Sequence, residues 1–287
     1  NDKMSKSKGN VIYADDLVDF FGVDAVRYYV LHEMPFDNDG NITWELVTER
    51  TNAELANTLG NLVNRTISMS NKYFDGVVKS TGVTEEVDND LKAVVTGARD
   101  KIAGIVADKK VTGEMDEDLK AVVTGTYKRV SAKMDELRVA DAITEIFALF
   151  KRCNKYIDET EPWVLAKDEA SMDRLSTVLY NLVESIATGA SLLEPFMPST
   201  AKKIVQQLNT SVRSFEDCEK FGLYESGNKV TAEPEILFAR LKVEEVMEKV
   251  NAMYAERKAQ AAGENGEAVE ENVIDIEAKP EITFDDF

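Results

Sequence analysis

The chain has 287 residues, enough for one large domain or two ordinary ones, and 44% of them are hydrophobic, which supplies a sizeable core. No apolar run approaches the length of a membrane span and no secretory pattern opens the sequence, so a soluble, cytoplasmic protein is expected. The net charge of −19 argues against phosphate binding over a broad basic surface, but residues 231–287 hold fifteen acidic against six basic side chains, so about half of the excess is confined to one segment. Cys153 and Cys218 stand in no close Cys-x-x-Cys spacing and the sole histidine, His32, cannot complete a four-ligand site with them; two reduced thiols and no metal are expected.

In chain order, residues 1–14 read as a loop with a turn signal at Gly9-Asn10. The run Lys3-Met4-Ser5-Lys6-Ser7-Lys8-Gly9-Asn10 is triply cationic and rich in hydroxyls. That suits a pyrophosphate whose charge shifts during displacement at the α-phosphate, and it equally suits a solvated basic loop. Val11-Ile12-Tyr13 leads into a helix with an acidic first turn, Asp15-Asp16. Gly22 interrupts it, Asp24 is placed to cap a second helix, and Met34-Pro35 ends that one. Asp37-Asn38-Asp39-Gly40 predicts a tight turn.

From Thr43 to about Tyr73 a helical period sets Leu55, Leu59, Leu62, Met69 and Tyr73 on one stripe, with Ala56, Gly60, Val63 and Ile67 beside it. A polar ridge, Thr58, Asn61, Arg65, Ser68 and Lys72, flanks the stripe. Such a ridge is solvated surface or, because an amide and a guanidinium lie one turn apart on it, a reader of base edges. Further apolar faces run through Val139–Ile157 and Leu175–Leu193, the second closed by Pro195 and Pro198. Together these helices predict a mainly α protein built as an antiparallel helix bundle.

Between them residues 83–97 and 111–125 match at twelve of fifteen positions, at an offset of 28 residues. That offset is about 7.8 helical turns, which nearly preserves side-chain facing, although Gly97, Gly104 and Gly113 argue against an unbroken helix. Two copies are too few for a solenoid. Glu161-Pro162-Trp163 follows the helix ending near Ile157; its indole is either core or, set in a connection by Pro162, a stacking platform. After Gly222 and Gly227 an extended stretch reaches Phe238, then a helix spans Val243–Lys258. Residues 261–271 have the composition of a linker, and 280–287 regain apolar character as if a further domain began there; the loop opening two residues after Asn1 likewise suggests a piece of a longer protein.

Residues 3–10 resemble the second signature loop of class I aminoacyl-tRNA synthetases, and Val11–Asp15 with Phe21–Tyr29 are similar to that class as well. Asp39–Thr43, Asn52–Asn57, Leu59–Leu62 with Arg65, and Asn154–Ile157 running into Glu161–Glu169 resemble the methionyl-tRNA synthetase family in order and spacing. The resemblance covers roughly 1–80 and 130–260, and the family has a single copy of the duplicated segment. It implies methionine activation with ATP and magnesium, then transfer to tRNA(Met).

The resemblance assigns Lys6 to the ATP phosphates as the catalytic residue, within an ATP loop of Lys3, Met4, Ser5, Lys6 and Ser7. It assigns Asn61, Arg65, Pro162 and Trp163 to the CAU anticodon, the indole stacking on the first base. The implied organisation is a loop and stem-contact region at 1–42, a helical anticodon-binding domain at 43–260 and an acidic linker at 261–287. Some members continue past an Ile-Thr-Phe-type segment into an oligonucleotide-binding barrel that makes dimers, and 282–287 resemble its opening. These residues contain no His-Ile-Gly-His-type motif, methionine pocket or zinc knuckle, so alone they are expected not to activate methionine. The competing readings are another class I synthetase and a non-catalytic helical module that binds tRNA or protein.

Overall fold

The computed structural model describes residues 4–5, 10–35, 38–96 and 126–264. Contacts divide the chain into two compact units, Asn1–Val243 and Glu244–Phe287. In the first unit the described helices are α1 (Ala14–Phe21), α2 (Val23–Glu33), α3 (Trp44–Arg50), a π-helix (Thr51–Gly60), α4 (Asn61–Phe74), α5 (Glu86–Thr96), α6 (Thr126–Asp135), α7 (Val139–Thr160), the single turn α8 (Pro162–Leu165), α9 (Met172–Leu193) and α10 (Pro198–Gln207). The described part of the second unit, residues 244–264, lies within α11 (Val243–Glu264), which runs six residues past Lys258. Among the described residues there is no strand, only an isolated antiparallel pairing of Val77 with Lys229.

The mainly α architecture follows from the apolar stripes. α9 is the central element: Leu175, Val178, Leu182, Ile186 and Leu193 are fully buried, and so are the polar residues between them. A helix buried on all sides sits inside the bundle, with α7, α10, α4 and α5 around it. α7 crosses it antiparallel, since Tyr156 meets Asn181 and Phe150 meets Gly189. A Cβ at Gly189 would lie 2.5 Å from the Phe150 ring, so glycine sets how closely these two helices approach.

The helix expected from Thr43 to Tyr73 differs in its middle. Residues 51–60 wind with wider turns, marked by the Thr58 hydroxyl donating to the carbonyl of Ala53 five residues back. The change in winding turns the following face: α4 buries Leu62, Val63, Thr66, Ile67 and Ser70, while Met69 and Tyr73 of the expected stripe are half-buried. Two side chains of α7 hold the π-helix. Lys151 pairs with Glu54 at 2.9 Å, and the Asn154 amide donates to the carbonyl of Thr58 at 3.0 Å. The residue numbers rise together, so this pair of helices runs parallel.

Asp24 does not cap its own helix. Gly22, at φ +81°, stands at that N-terminus, and the buried Asp24 carboxylate accepts the Thr200 N–H at 2.6 Å in the first turn of α10. Pro198 accordingly opens α10 rather than closing α9; with no N–H to lose, proline is favoured at a first helical position. Arg27, one turn on from Asp24, donates to the carbonyls of Phe196 and Pro195 at 2.6 and 2.9 Å. α2 is thereby fastened to the bundle by one anionic and one cationic side chain. Met34 is extended before Pro35, as expected; the turn at 37–40 lies partly outside the described residues.

Candidate functional site

Of the proposed ATP loop, Met4 and Ser5 are described; Lys3, Lys6 and Ser7 lie outside the described residues. The Asn10 carboxamide accepts the Ser5 N–H at 2.8 Å, drawing the two ends of residues 5–10 together. Met4 is exposed. Phe20 and Phe21 of α1 pack on Trp44, with centroids 5.0 and 6.1 Å apart, so the first tryptophan is core at 5% exposure.

The second tryptophan has another setting. α7 stops at Thr160 because Glu161 takes the left-handed conformation at φ +42°, and Pro162 then starts the one-turn α8. Trp163 follows on that turn with 40% of its surface exposed, beside an exposed Val164, while Pro162 is buried. The left-handed residue and the proline thus lift the indole out of the packed face of α7. A large aromatic face left open on a helical surface suits stacking on an unpaired base.

Asn61 is exposed on the first turn of α4, and Arg65 follows it one turn later. Arg65 lies 3.9 Å from Asp158 on the last turn of α7, five residues before Trp163. That separation is too long for a hydrogen bond, and at 34% and 70% side-chain exposure the pair is solvated. The guanidinium therefore keeps donors for another partner. Among the described residues no side chain bonds the Asn61 amide. The ridge expected from the sequence is realised: Asn61, Ser68 and Lys72 are exposed, and Thr58 and Arg65 are half-buried. Asp158 was not singled out from the sequence; its position one turn before Glu161-Pro162 is the signal that could have found it.

Two buried ion pairs were also missed. Glu184 on α9, fully buried, accepts both Arg213 terminal nitrogens at 2.9 and 2.7 Å and the backbone N–H groups of Gly222, Leu223 and Tyr224. Asp88 on α5 accepts from Arg174 at 2.7 and 2.8 Å and from the Tyr156 hydroxyl. Burial, then the Asp88 contact, push the Tyr156 phenol well above its ordinary range, so it stays a donor. A charged residue within the apolar period of α9 was the readable sign for Glu184. Both cysteines are buried thiols: burial pushes Cys153 up to about 12 and Cys218 up to about 11.

Comparison with known proteins gives two family matches. Residues 1–67 match "tRNA synthetases class I (M)", and residues 106–259 match "Anticodon binding domain of methionyl tRNA ligase". The methionine–tRNA ligase of Clostridium perfringens is 39% identical over 285 residues, 99% of this chain and 38% of that protein. That of Caldanaerobacter subterraneus is 44% identical over 243 residues, 84% of this chain and 34% of that protein. Mycobacterium tuberculosis methionyl-tRNA synthetase bound by methionyl-adenylate superposes with a TM-score of 0.68 at 32% identity, over 83% of this chain and 42% of that one. The chain spans under two-fifths of the length of these curated relatives.

Proposed function

The chain belongs to the methionyl-tRNA ligase family, and from that premise we propose that it serves the ATP-dependent activation of methionine and the transfer of methionine to tRNA(Met). It contributes a loop for the ATP phosphates and a surface that reads the anticodon. Lys6 acts on the phosphates, favouring the charge distribution of the transition state over that of bound ATP, and Lys3, Met4, Ser5 and Ser7 shape the loop. Magnesium enters with ATP as its counter-ion; no residue here is assigned to it. The setting is cytoplasmic. Residues 1–42 form the loop and stem-contact region, 43–260 the anticodon-binding domain and 261–287 a linker.

Decoding uses four residues. Trp163 stacks on the first anticodon base, Pro162 fixes the turn that presents the indole, and Asn61 with Arg65 bonds base edges. The observation that carries this reading is the open indole at 40% exposure on a turn set by Glu161 and Pro162, in a chain whose other tryptophan is core. The loose Arg65–Asp158 contact supports it, since a ligand can take over the guanidinium without breaking a hydrogen bond.

Filter binding to tRNA(Met) and to the same tRNA with its first anticodon base changed tests the reading. Binding is expected to weaken at least about tenfold on the base change, consistent with one stacked and bonded base, and to fall with added salt. Equal affinity for the two tRNAs contradicts it. Pyrophosphate exchange with methionine by these residues alone is expected at background, and turnover above background overturns the assignment of activation to additional residues.

A further inference from the structure

The segment that leaves α10 is used neither for ATP nor for decoding, and it builds a cleft of about 380 Å³. The lining is Asn209, Thr210, Ser211, Leu223, Glu225 and Asn228, which supply one carboxylate, two carboxamides, two hydroxyls and one aliphatic side chain. We infer that this cleft is a docking socket for an arginine side chain on a basic segment of a partner protein.

Both walls are fixed by hydrogen bonds. Past the end of α10, Asn209 is left-handed at φ +54°, and the N–H groups of Asn209 and Thr210 return to the carbonyls of Gln206 and Val205. That cap turns the chain into the first wall, 209–211. The second wall contains the turn 225–228, closed by the Asn228 N–H on the Glu225 carbonyl and tied to Val78 through the Gly227 N–H and the Asn228 carbonyl. The walls are joined as well: the Asn228 carboxamide donates to the Asn209 carbonyl at 3.4 Å, and the Tyr224 hydroxyl to the Leu208 carbonyl at 2.8 Å. Glu184 holds Arg213, two residues past the first wall, and the Leu223 N–H of the second. A socket held in this way needs little ordering when a ligand enters.

The acceptors between the walls are unengaged. Among the described residues nothing bonds the Glu225 carboxylate, the Asn209 carboxamide or the hydroxyls of Thr210 and Ser211. Asn228 directs its amide nitrogen to Asn209, which leaves its oxygen as an acceptor. The cations of the same segment are already paired: Arg213 with Glu184, Lys220 with Asp217 and Lys229 with Asp75. Glu216, Glu219 and Glu225 form no ion pair among the described residues. The surface is therefore negative, which disfavours a phosphate backbone and attracts a cation.

The lining also selects the kind of cation. A divalent metal ion seeks a full shell of oxygens and gains nothing from an aliphatic wall. A guanidinium presents several N–H donors in one plane on an apolar stem. Its head suits the Glu225 carboxylate with the carboxamide and hydroxyl oxygens around it, and its stem suits Leu223, which is 45% exposed. Val212, directly after Ser211 and also exposed, continues the apolar surface where a residue beside the arginine can rest. That flank, together with the charge complementarity, points to a protein segment rather than a free cation.

The 287-residue chain, isotope-labelled and titrated by NMR with the blocked peptide acetyl-Gly-Leu-Arg-Leu-Gly-amide, tests the proposal. Saturable shifts are expected in 209–211 and 223–228. Affinity is expected to fall at least about tenfold when citrulline, a neutral isostere, replaces the arginine, and by a similar factor in Glu225→Gln, whose side chain bonds nothing else among the described residues. A lysine peptide is expected to bind more weakly than the arginine peptide. The proposal is overturned by the absence of saturable shifts at these residues, by equal affinity for the citrulline or lysine peptide, or by unchanged binding in Glu225→Gln. Shifts of the same residues by magnesium chloride beyond those of sodium chloride at equal ionic strength would assign the cleft to a metal ion, and displacement of the peptide by tRNA(Met) would assign it to nucleic acid; either result overturns the proposal.

Discussion

The bundle holds an arginine against a carboxylate in its interior and another at its rim, and the two places use the same chemistry differently. Arg213 makes two short bonds to a Glu184 with no exposed surface, and three backbone N–H groups complete that carboxylate. Arg65 stands 3.9 Å from an exposed Asp158 and keeps its donors. The first arrangement fixes the segment 213–224 on α9; the second leaves a cation oriented but available. A buried pair is costly to break, whereas an exposed pair contributes little, so function is expected at the rim and stability in the interior.

The largest effect that would break this contrast is Glu184→Ala. It leaves Arg213 without its partner and three N–H groups without an acceptor, and a loss of about 3–5 kcal/mol in unfolding free energy is expected from denaturant midpoints. A loss below about 1 kcal/mol would mean the interior pair is not engaged as described.

Next, Trp163→Ala is expected to weaken tRNA(Met) binding by about 1–3 kcal/mol, the contribution of one stacked base, while shifting unfolding by less than about 1 kcal/mol. A stability loss larger than the binding loss would make Trp163 a core residue like Trp44.

The pH dependence of stability sharpens the interior side. Cys153, pushed up to about 12 by burial, and Cys218, pushed up to about 11, remain protonated in the fold where an unfolded thiol near 9 has lost its proton. Their contribution is intact below pH 9 and declines as pH rises above it, at about 1.4 kcal/mol per pH unit for each thiol. Urea midpoints at pH 8, 9 and 10 should fall accordingly, with a shallower slope in Cys153→Ala. An unchanged slope in that variant would place the thiol within reach of water.

The smallest effect is a double-mutant cycle on Arg65 and Asp158, with a coupling in unfolding free energy below about 0.5 kcal/mol. A coupling above about 2 kcal/mol would remove the distinction between rim and interior.

Much of this was legible in the sequence because it depends on period and composition. The stripes of α7 and α9 and the ridge through Asn61 and Arg65 follow from residues three and four apart. The turn that exposes Trp163 follows from proline chemistry, although Glu161 in the left-handed conformation does half of the work and carries no such signature. What stayed hidden depends on partners distant in the chain. Asp24 looks like a local cap, and only the fold brings Thr200 to it. Pro198 reads as a stop until α10 is seen to begin there. The π-helix leaves no mark in an apolar pattern, and beyond it α4 buries Thr66 and Ser70 while Met69 and Tyr73 are half-buried. The site residues Lys3, Lys6 and Ser7 rest on resemblance, since they lie outside the described residues.

The central claim is that the rim of α4 and α8 reads a base through the indole of Trp163. The direct measurement crosses two proteins with two RNAs: the unaltered chain and Trp163→Ala, each titrated with tRNA(Met) and with tRNA(Met) altered at the first anticodon base. The account predicts that the unaltered chain separates the two RNAs by at least about tenfold and that the variant binds both with nearly the same reduced affinity. If the variant discriminates between them as well as the unaltered chain does, the indole does not read that base.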